Sequence, residues 1–148
     1  MVSQVKGIVN SLETVLEAIQ ISNGYQQDVQ EVEDASDHFV DVKFSDLPLI
    51  TIHEGGEEPD EKIGGSIVDY TMGITLRCYL EGDNGTSLEA VRLIKDDVKK
   101  AIYDNPTLGN SDVVLAKVMT IAPPLTWGEV GDPVVVDILL SVHFRRAF

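Results

Sequence analysis

The sequence contains three histidines, His38, His53 and His143, the residue type most often used for metal binding and for proton transfer near neutral pH. A metal site needs ligands that converge at ~2 Å from the ion, and a short spacing such as His-Glu-x-x-His indicates that arrangement. The three histidines lie far apart in the sequence and show no such spacing. We therefore predict no metal site, with His53 and His143 on strand faces and His38 in a loop.

The single cysteine, Cys78, is the next candidate for chemistry. A nucleophilic cysteine needs partial exposure and a neighbouring base, whereas Cys78 alternates with Leu76 and Leu80 in a pattern typical of the apolar face of a strand. The sequence also lacks a Gly-x-Ser-x-Gly elbow, a glycine-rich phosphate loop and, around residues 82–85, the spaced acids of a calcium loop. We expect no catalytic residue and no cofactor, and therefore a protein that is not an enzyme.

Charge is distributed unevenly along the 148 residues, which carry 25 acids against 11 lysines and arginines, a net charge of −14. Residues 28–61 contain 12 acids and one base, Lys43, so this region carries −11, and the remaining 13 acids and 10 bases give only −3. Such acidity argues against nucleic-acid binding driven by counterion release. Two interpretations remain open: a solvated edge that its charge keeps soluble, or a surface that repels a polyanion or meets a basic partner.

Hydrophobic periodicity predicts the elements that position these residues. Apolar residues at helical spacing run from 5 to 19 and indicate a first helix that ends near Ser22, and a second helix is indicated over 86–104. A period of two is clearest at 68–80 and 134–144, with further strands at 28–32, 49–52 and 113–121. We expect mobile acidic loops around 33–46 and 54–65, the second as a loop or as the tip of a hairpin, and a projecting loop at 122–133. The order predicts one α+β domain over residues 1–148, a largely antiparallel four- to five-stranded sheet with two helices packed on one face.

The loop at 122–133 contains Leu125 and Trp127 among prolines and glycines. An aromatic residue on a projecting loop is a common interface anchor, but it also often folds back over the protein's own core. Both interpretations stay open. The N-terminal residues lack the continuous apolar stretch of a secretory signal, and we expect a soluble protein in the cytosol where it is made.

Several short motifs follow one another in an order that is informative as a whole. An N-terminal helix leads into Ile21-Ser22-Asn23-Gly24-Tyr25, and Leu47-Pro48 precedes a short strand, an acidic glycine-rich loop, a long strand and a helix. Leu108-Gly109 follows that helix, and the last strand ends in Phe144-Arg145-Arg146. In this order the chain resembles the tail terminator, or tail-completion, proteins of long-tailed bacteriophages over nearly all of its length.

The resemblance implies a structural virion protein, assembled in the bacterial host cytoplasm and located in the virion tail. Such proteins form a ring, commonly of six copies, that caps the tail tube, ends its polymerisation and presents the surface that joins the tail to the head. The implied partners are other copies of the chain, the tail tube protein and the head-tail connector protein, while DNA passes through without specific binding. The alternatives are another connector or neck protein of similar fold and, in a different class, an enzyme or small-ligand-binding domain with an unrecognised site.

On this hypothesis two sets of residues face the partners. The first set is the acids expected to line the lumen of the ring or to face a partner: Asp34, Asp37, Glu54, Glu57, Glu58, Asp60 and Glu61. The second set is expected at the contacts between subunits or with the tube: Leu125, Trp127, Arg145 and Arg146.

Overall fold

A computed structural model describes residues 3–38, 40–82, 87–126 and 133–148, with the backbone alone at 44, 60–64, 87 and 126. The helices are α1 (Gln4–Glu17) and α2 (Ser87–Asp104), with short 3-10 turns at Ile21–Asn23 and Phe44–Asp46. The strands are β1 (Glu31–Asp34), β2 (Leu49–Gly64), β3 (Ile67–Leu80), β4 (Val113–Ile121), β5 (Leu125–Thr126) and β6 (Val134–Ala147). Among the described residues, no helix is long and apolar enough to cross a membrane.

One sheet organises the molecule, with the strand order β1-β2-β3-β6-β4 and the short β5 paired with β6. All neighbours are antiparallel except β1 and β2, which run parallel. The centre of the sheet is the β3–β6 pair, which stays in register from Ile67 opposite Ala147 to Leu80 opposite Val134. The α+β prediction is therefore confirmed.

Both helices pack on one face of this sheet. The alternating apolar residues of β3 and β6 point to that face and are buried there, as the period of two predicts. Helix α1 begins at the N-cap Ser3, whose hydroxyl accepts a hydrogen bond from the Lys6 amide at 3.1 Å. The core that results contains these buried residues of the helices and central strands: Ile8, Leu12, Leu16, Met72, Ile74, Leu76, Cys78, Ile94, Val98, Ile138, Leu140, Val142 and Phe144.

A buried carboxylate of α2 fixes the segment that follows the first helix. Asp97 is 1% exposed, and its two carboxylate oxygens accept hydrogen bonds from the backbone amides of Gln26 and Gln27, each at 2.9 Å. Two residues before Gln26, Gly24 has a φ of 89°, a left-handed conformation that glycine adopts without steric cost. The chain thus turns at Gly24 and is held against α2 before it enters β1.

The opposite face of the sheet carries polar side chains that pair across the strands. Arg77 donates two hydrogen bonds to Asp137 at 2.9 and 3.1 Å, and Arg145 donates two to Asp69 at 2.8 and 3.2 Å. Asp69 is 5% exposed, so its partner compensates a nearly buried charge.

Several predicted boundaries are wrong. The loop predicted at 54–65 is strand up to Gly64. Pairing between β2 and β3 continues through three register shifts, one of which takes up Gly55 and Gly56, and Pro59 lies directly opposite Tyr70. The first strand spans Glu31–Asp34 instead of 28–32, so the first two residues of the predicted loop 33–46 belong to this strand. Helix α1 ends at Glu17 instead of near Ser22. The loop predicted at 122–133 contains β5, and its residues 127–132, including Trp127, lie outside the described residues.

Candidate functional site

The acids predicted to face a lumen or a partner lie mainly along one edge of the sheet. Strand β1 covers β2 only from Leu49 to Ile52, and past that point no described strand pairs with the outer side of β2. Glu54, Glu57 and Glu58 follow directly on this uncovered part, and all three are exposed. Asp60 and Glu61 continue the same strand, but their side chains lie outside the described part of the structure. We call Glu54, Glu57 and Glu58 the acidic edge.

No member of the acidic edge forms an ion pair with a described residue. The pKa of Glu54 is raised, first by partial desolvation and then by the negative charges of Asp34 and Glu57. Nearby carboxylates therefore repel one another along this strand. The arrangement concentrates uncompensated negative charge at one border of the sheet.

Asp34 behaves differently from the acidic edge because its charge is used within the fold. Its carboxylate accepts a hydrogen bond from Lys6 Nζ at 2.7 Å and two from the amide and hydroxyl of Ser36, at 3.1 and 2.7 Å. These contacts outweigh the effect of burial and hold its pKa below the ordinary value. Asp34 thus links α1 to the end of β1 and contributes little free charge to the surface.

Asp37 is exposed but is joined to a histidine. The ring of His38 contacts Asp37 Oδ1 at 2.8 Å and Glu33 Oε1 at 2.9 Å. Both carboxylates raise the pKa of His38, Asp37 having the larger effect, and His38 in turn lowers the pKa of Asp37. Protonation of His38 therefore cancels part of the negative charge of this segment as the pH falls.

The residues predicted at subunit or tube contacts are spread over two parts of the molecule. Leu125 lies in β5 with 64% of its surface exposed. Arg145 is paired with Asp69, and Arg146 donates a hydrogen bond to Gln4 Oε1 at 2.9 Å. The Arg146 guanidinium also lies over the rings of Tyr70 and Phe148, at 5.8 and 5.6 Å. Leu125 and the arginines therefore do not form one surface, because they lie at opposite ends of β6.

The histidines and the cysteine occupy the positions predicted for them. His38 lies in an irregular segment, and His53 and His143 lie on strands, with His53 Nε2 at 2.8 Å from Thr51 Oγ1. Burial, with the positive charge of Arg77, lowers the pKa of His53. Burial raises the pKa of Cys78 to about 12. Within the ranges that the structure describes, no group of three or more His, Cys, Asp or Glu side chains could hold a metal ion.

A mainly apolar cavity of about 400 Å³, which the sequence pattern did not predict, lies between α2 and the end of β3. Its apolar lining is Leu47, Pro48, Leu80, Ala90 and Leu93, and the carboxylate residues Glu81 and Glu89 also line it. Gln27 also lines it, and the Gln27 Oε1 atom is buried without a hydrogen-bond partner among the described residues. The apolar residues belong to three separate segments, so no local sequence pattern could have identified this cavity. Glu13 and Glu54, whose pKa values are raised mainly by desolvation, do not line it.

The geometry defines an α+β protein whose most distinctive surface is a charged strand edge. No protein-family model matches the sequence, and no curated protein matches it closely enough to count as a relative.

Proposed function

We propose that this protein is a subunit of a ring that caps the tail tube of a long-tailed bacteriophage, ends the polymerisation of the tube and provides the surface that joins it to the head. The observation that carries the proposal is the acidic edge, in which Glu54, Glu57 and Glu58 are exposed and have no described cationic partner. The resemblance in motif order supports the same function.

An acidic wall suits a channel for DNA because both surfaces carry the same sign of charge. DNA has one negative charge per ~1.7 Å of its axis, and charges interact over a Debye length of about 8 Å at physiological salt. Carboxylates that line a lumen at that distance repel the phosphates and keep the moving DNA from adhering. A ring repeats the acidic edge in every subunit, so the repulsion acts from all sides.

The cap function is tested with the purified protein and tail tube subunits of the same phage. We expect the protein to bind tube ends and to stop their growth, which electron microscopy of tube lengths measures. Tubes that neither bind the protein nor change in length would refute the terminator function. Binding to the head connector alone, without binding to tubes, would indicate a neck protein instead.

The role of the acidic edge is tested separately by the triple variant Glu54→Gln, Glu57→Gln and Glu58→Gln. We expect rings assembled from this variant to retain double-stranded DNA at low salt, whereas rings of the unaltered protein do not. The matched control removes three exposed acids elsewhere, by Glu17→Gln, Asp96→Asn and Asp112→Asn, and should not retain DNA. Equal behaviour of the two variants, or a ring structure with the acidic edge on its outer rim, would contradict the lumen assignment.

A further inference from the structure

The two borders of the sheet differ in what they leave uncovered. On the β2 side, Ser36 Oγ accepts a hydrogen bond from the Glu54 amide at 3.1 Å, so the covered part of β2 ends there. From Gly55 to Gly64, no described strand pairs with the outer side of β2. This uncovered stretch overlaps the acidic edge.

On the opposite border, β4 is covered only in its first half. The Ala116 amide points away from β6 and donates a hydrogen bond to the Pro106 carbonyl at 2.7 Å. From Lys117 to Ile121 the outer side of β4 has no strand neighbour in the part of the chain that the structure describes. Met119, at a register shift in this half, is 54% exposed, and Leu139 on the adjacent β6 is 41% exposed. We call Lys117–Ile121 the apolar edge.

The charges of the two edges are complementary. Residues 54–59 of β2 contain three acids and no base, whereas the whole of β4 contains one charged residue, Lys117, and no acid. Two acidic edges repel each other, and two apolar edges leave the acids unpaired. Pairing one edge of each kind places Lys117 near Glu57 and Glu58 and covers Met119.

Strand direction allows this pairing. Because β2, β3, β6 and β4 are antiparallel in succession, β4 runs opposite to β2. A second copy whose strands keep roughly the direction of the first copy's strands therefore brings its β2 antiparallel to the β4 of the first copy. The alternation of the sheet then continues across the contact.

The two edges do not lie at the same level of the sheet. Val118 of β4 lies opposite Leu140 of β6, which lies opposite Ile74 of β3, which in turn lies opposite Glu54 of β2. Val118 is therefore level with Glu54, where the uncovered part of β2 only begins. Pairing therefore displaces adjacent copies by several residues along the strands, or roughly 10–20 Å at ~3.3 Å per residue. A sheet that closes on itself needs such a stagger, because its strands tilt by roughly 35–45°.

We propose that a second copy of this chain is the partner of both edges, so that the apolar edge of one copy pairs antiparallel with the acidic edge of the next. The contact is head-to-tail and leaves one edge of each kind free at the ends, so it propagates until rotation closes a ring. The proposal deepens the proposed function and rests on it for the closed ring, while the contact itself rests on the two strand edges.

Cysteine cross-linking tests the contact, because the native Cys78 is fully buried. We expect the Met119→Cys and Glu57→Cys variants to form a disulfide-linked dimer when mixed, at least tenfold faster than either variant alone. Val114→Cys mixed with Glu57→Cys is the matched control, since Val114 is 45% exposed but lies on the covered half of β4. Cross-links between two copies of residue 119, equal rates in the control, or no cross-link at all would overturn the proposal.

A charge-swap experiment tests the same contact without a covalent bond. We expect Lys117→Glu to weaken self-association about tenfold in sedimentation, and Glu57→Lys added to the same chain to restore it. Lack of restoration would overturn the pairing. Cross-linked rings that fail to bind tubes would refute the proposed function while supporting the contact. Protein that caps tubes but cross-links through other residues would support the proposed function while refuting the contact.

Discussion

The carboxylate of Asp97 gives the sharpest test of how this fold is held together. It is buried in α2 and accepts hydrogen bonds from two consecutive backbone amides, those of Gln26 and Gln27. Replacement by alanine leaves both amides without their acceptor. The adjacent Asp96 is exposed and forms no hydrogen bond or ion pair with a described residue, so Asp96→Ala is a matched control.

The expected magnitude follows from the two contacts. A hydrogen bond to a charged group contributes about 1.5–3 kcal/mol, and we take the lower value for both because Gln26 is exposed and water can reach its amide. The Asp97→Ala variant should therefore be about 3 kcal/mol less stable than Asp96→Ala. The two variants share the same gain in helix propensity and the same loss of charge, so their difference isolates the buried contacts.

Urea unfolding measures this difference directly. With an m value of about 2 kcal/mol/M, the midpoint of Asp97→Ala should lie roughly 1.5 M below that of the control. Hydrogen exchange should accelerate at the Gln26 and Gln27 amides in Asp97→Ala alone. A difference in stability below about 1 kcal/mol, or unchanged exchange at these amides, would refute the view that Asp97 anchors this segment.

Three other perturbations have defined outcomes. Gly55→Ala should destabilise the protein more than Gly56→Ala in urea unfolding. A Cβ at residue 55 would lie 2.7 Å from the backbone oxygen of Gly73, whereas a Cβ at residue 56 would meet no atom within 4 Å. Equal stabilities would contradict this close approach of β2 to β3 at Gly55. Cys78 should resist thiol reagents at pH 8 in the native protein and react on unfolding, since burial raises its pKa to about 12, and rapid native labelling would contradict this. The Arg145 guanidinium holds the pKa of Asp69 below its usual 3.8. The stability that this ion pair contributes is therefore present above pH 3.8 and is lost as the pH falls through the lowered pKa. Asp69→Asn should abolish this part of the acid dependence of urea unfolding, and an unchanged pH profile would contradict the assignment.

The parts of the fold that the sequence predicts are those in which burial on one face dictates a period. The alternation in β3 and β6 is visible because every second residue is buried against the helices, and the structure confirms both strands to within three residues at their ends. The outer half of β2 carries no such signal, since it is charged, rich in glycine and interrupted by Pro59. Its extended form depends on pairing with β3, a tertiary contact that local sequence does not encode.

The same distinction applies to the candidate site. Regional acidity in the sequence correctly indicated where exposed carboxylates would gather, but it did not separate Asp34, which Lys6 neutralises, from Glu57 and Glu58. That separation depends on α1 lying beside β1, which places two residues 28 positions apart in contact. Asp97 offered a weak signal, because a charged residue three positions after Ile94 falls on the buried side of α2.

A simpler explanation for acids on a free strand edge than pairing with a second copy is that they prevent unwanted pairing with other chains. Pro59, the register shifts and the glutamates of β2 all fit that role. Protection alone, however, would require the opposite border to be guarded as well, and there Met119 and Leu139 are exposed beside a single lysine. One charged edge and one mainly apolar edge in the same sheet favour a specific partner over none. The negative charge on β2 repels the β2 edge of another copy and attracts the β4 edge that carries Lys117. Edge protection and head-to-tail assembly are therefore two consequences of the same charge pattern, and the charge-swap variants separate them: a purely protective edge gains nothing from Glu57→Lys in the Lys117→Glu background.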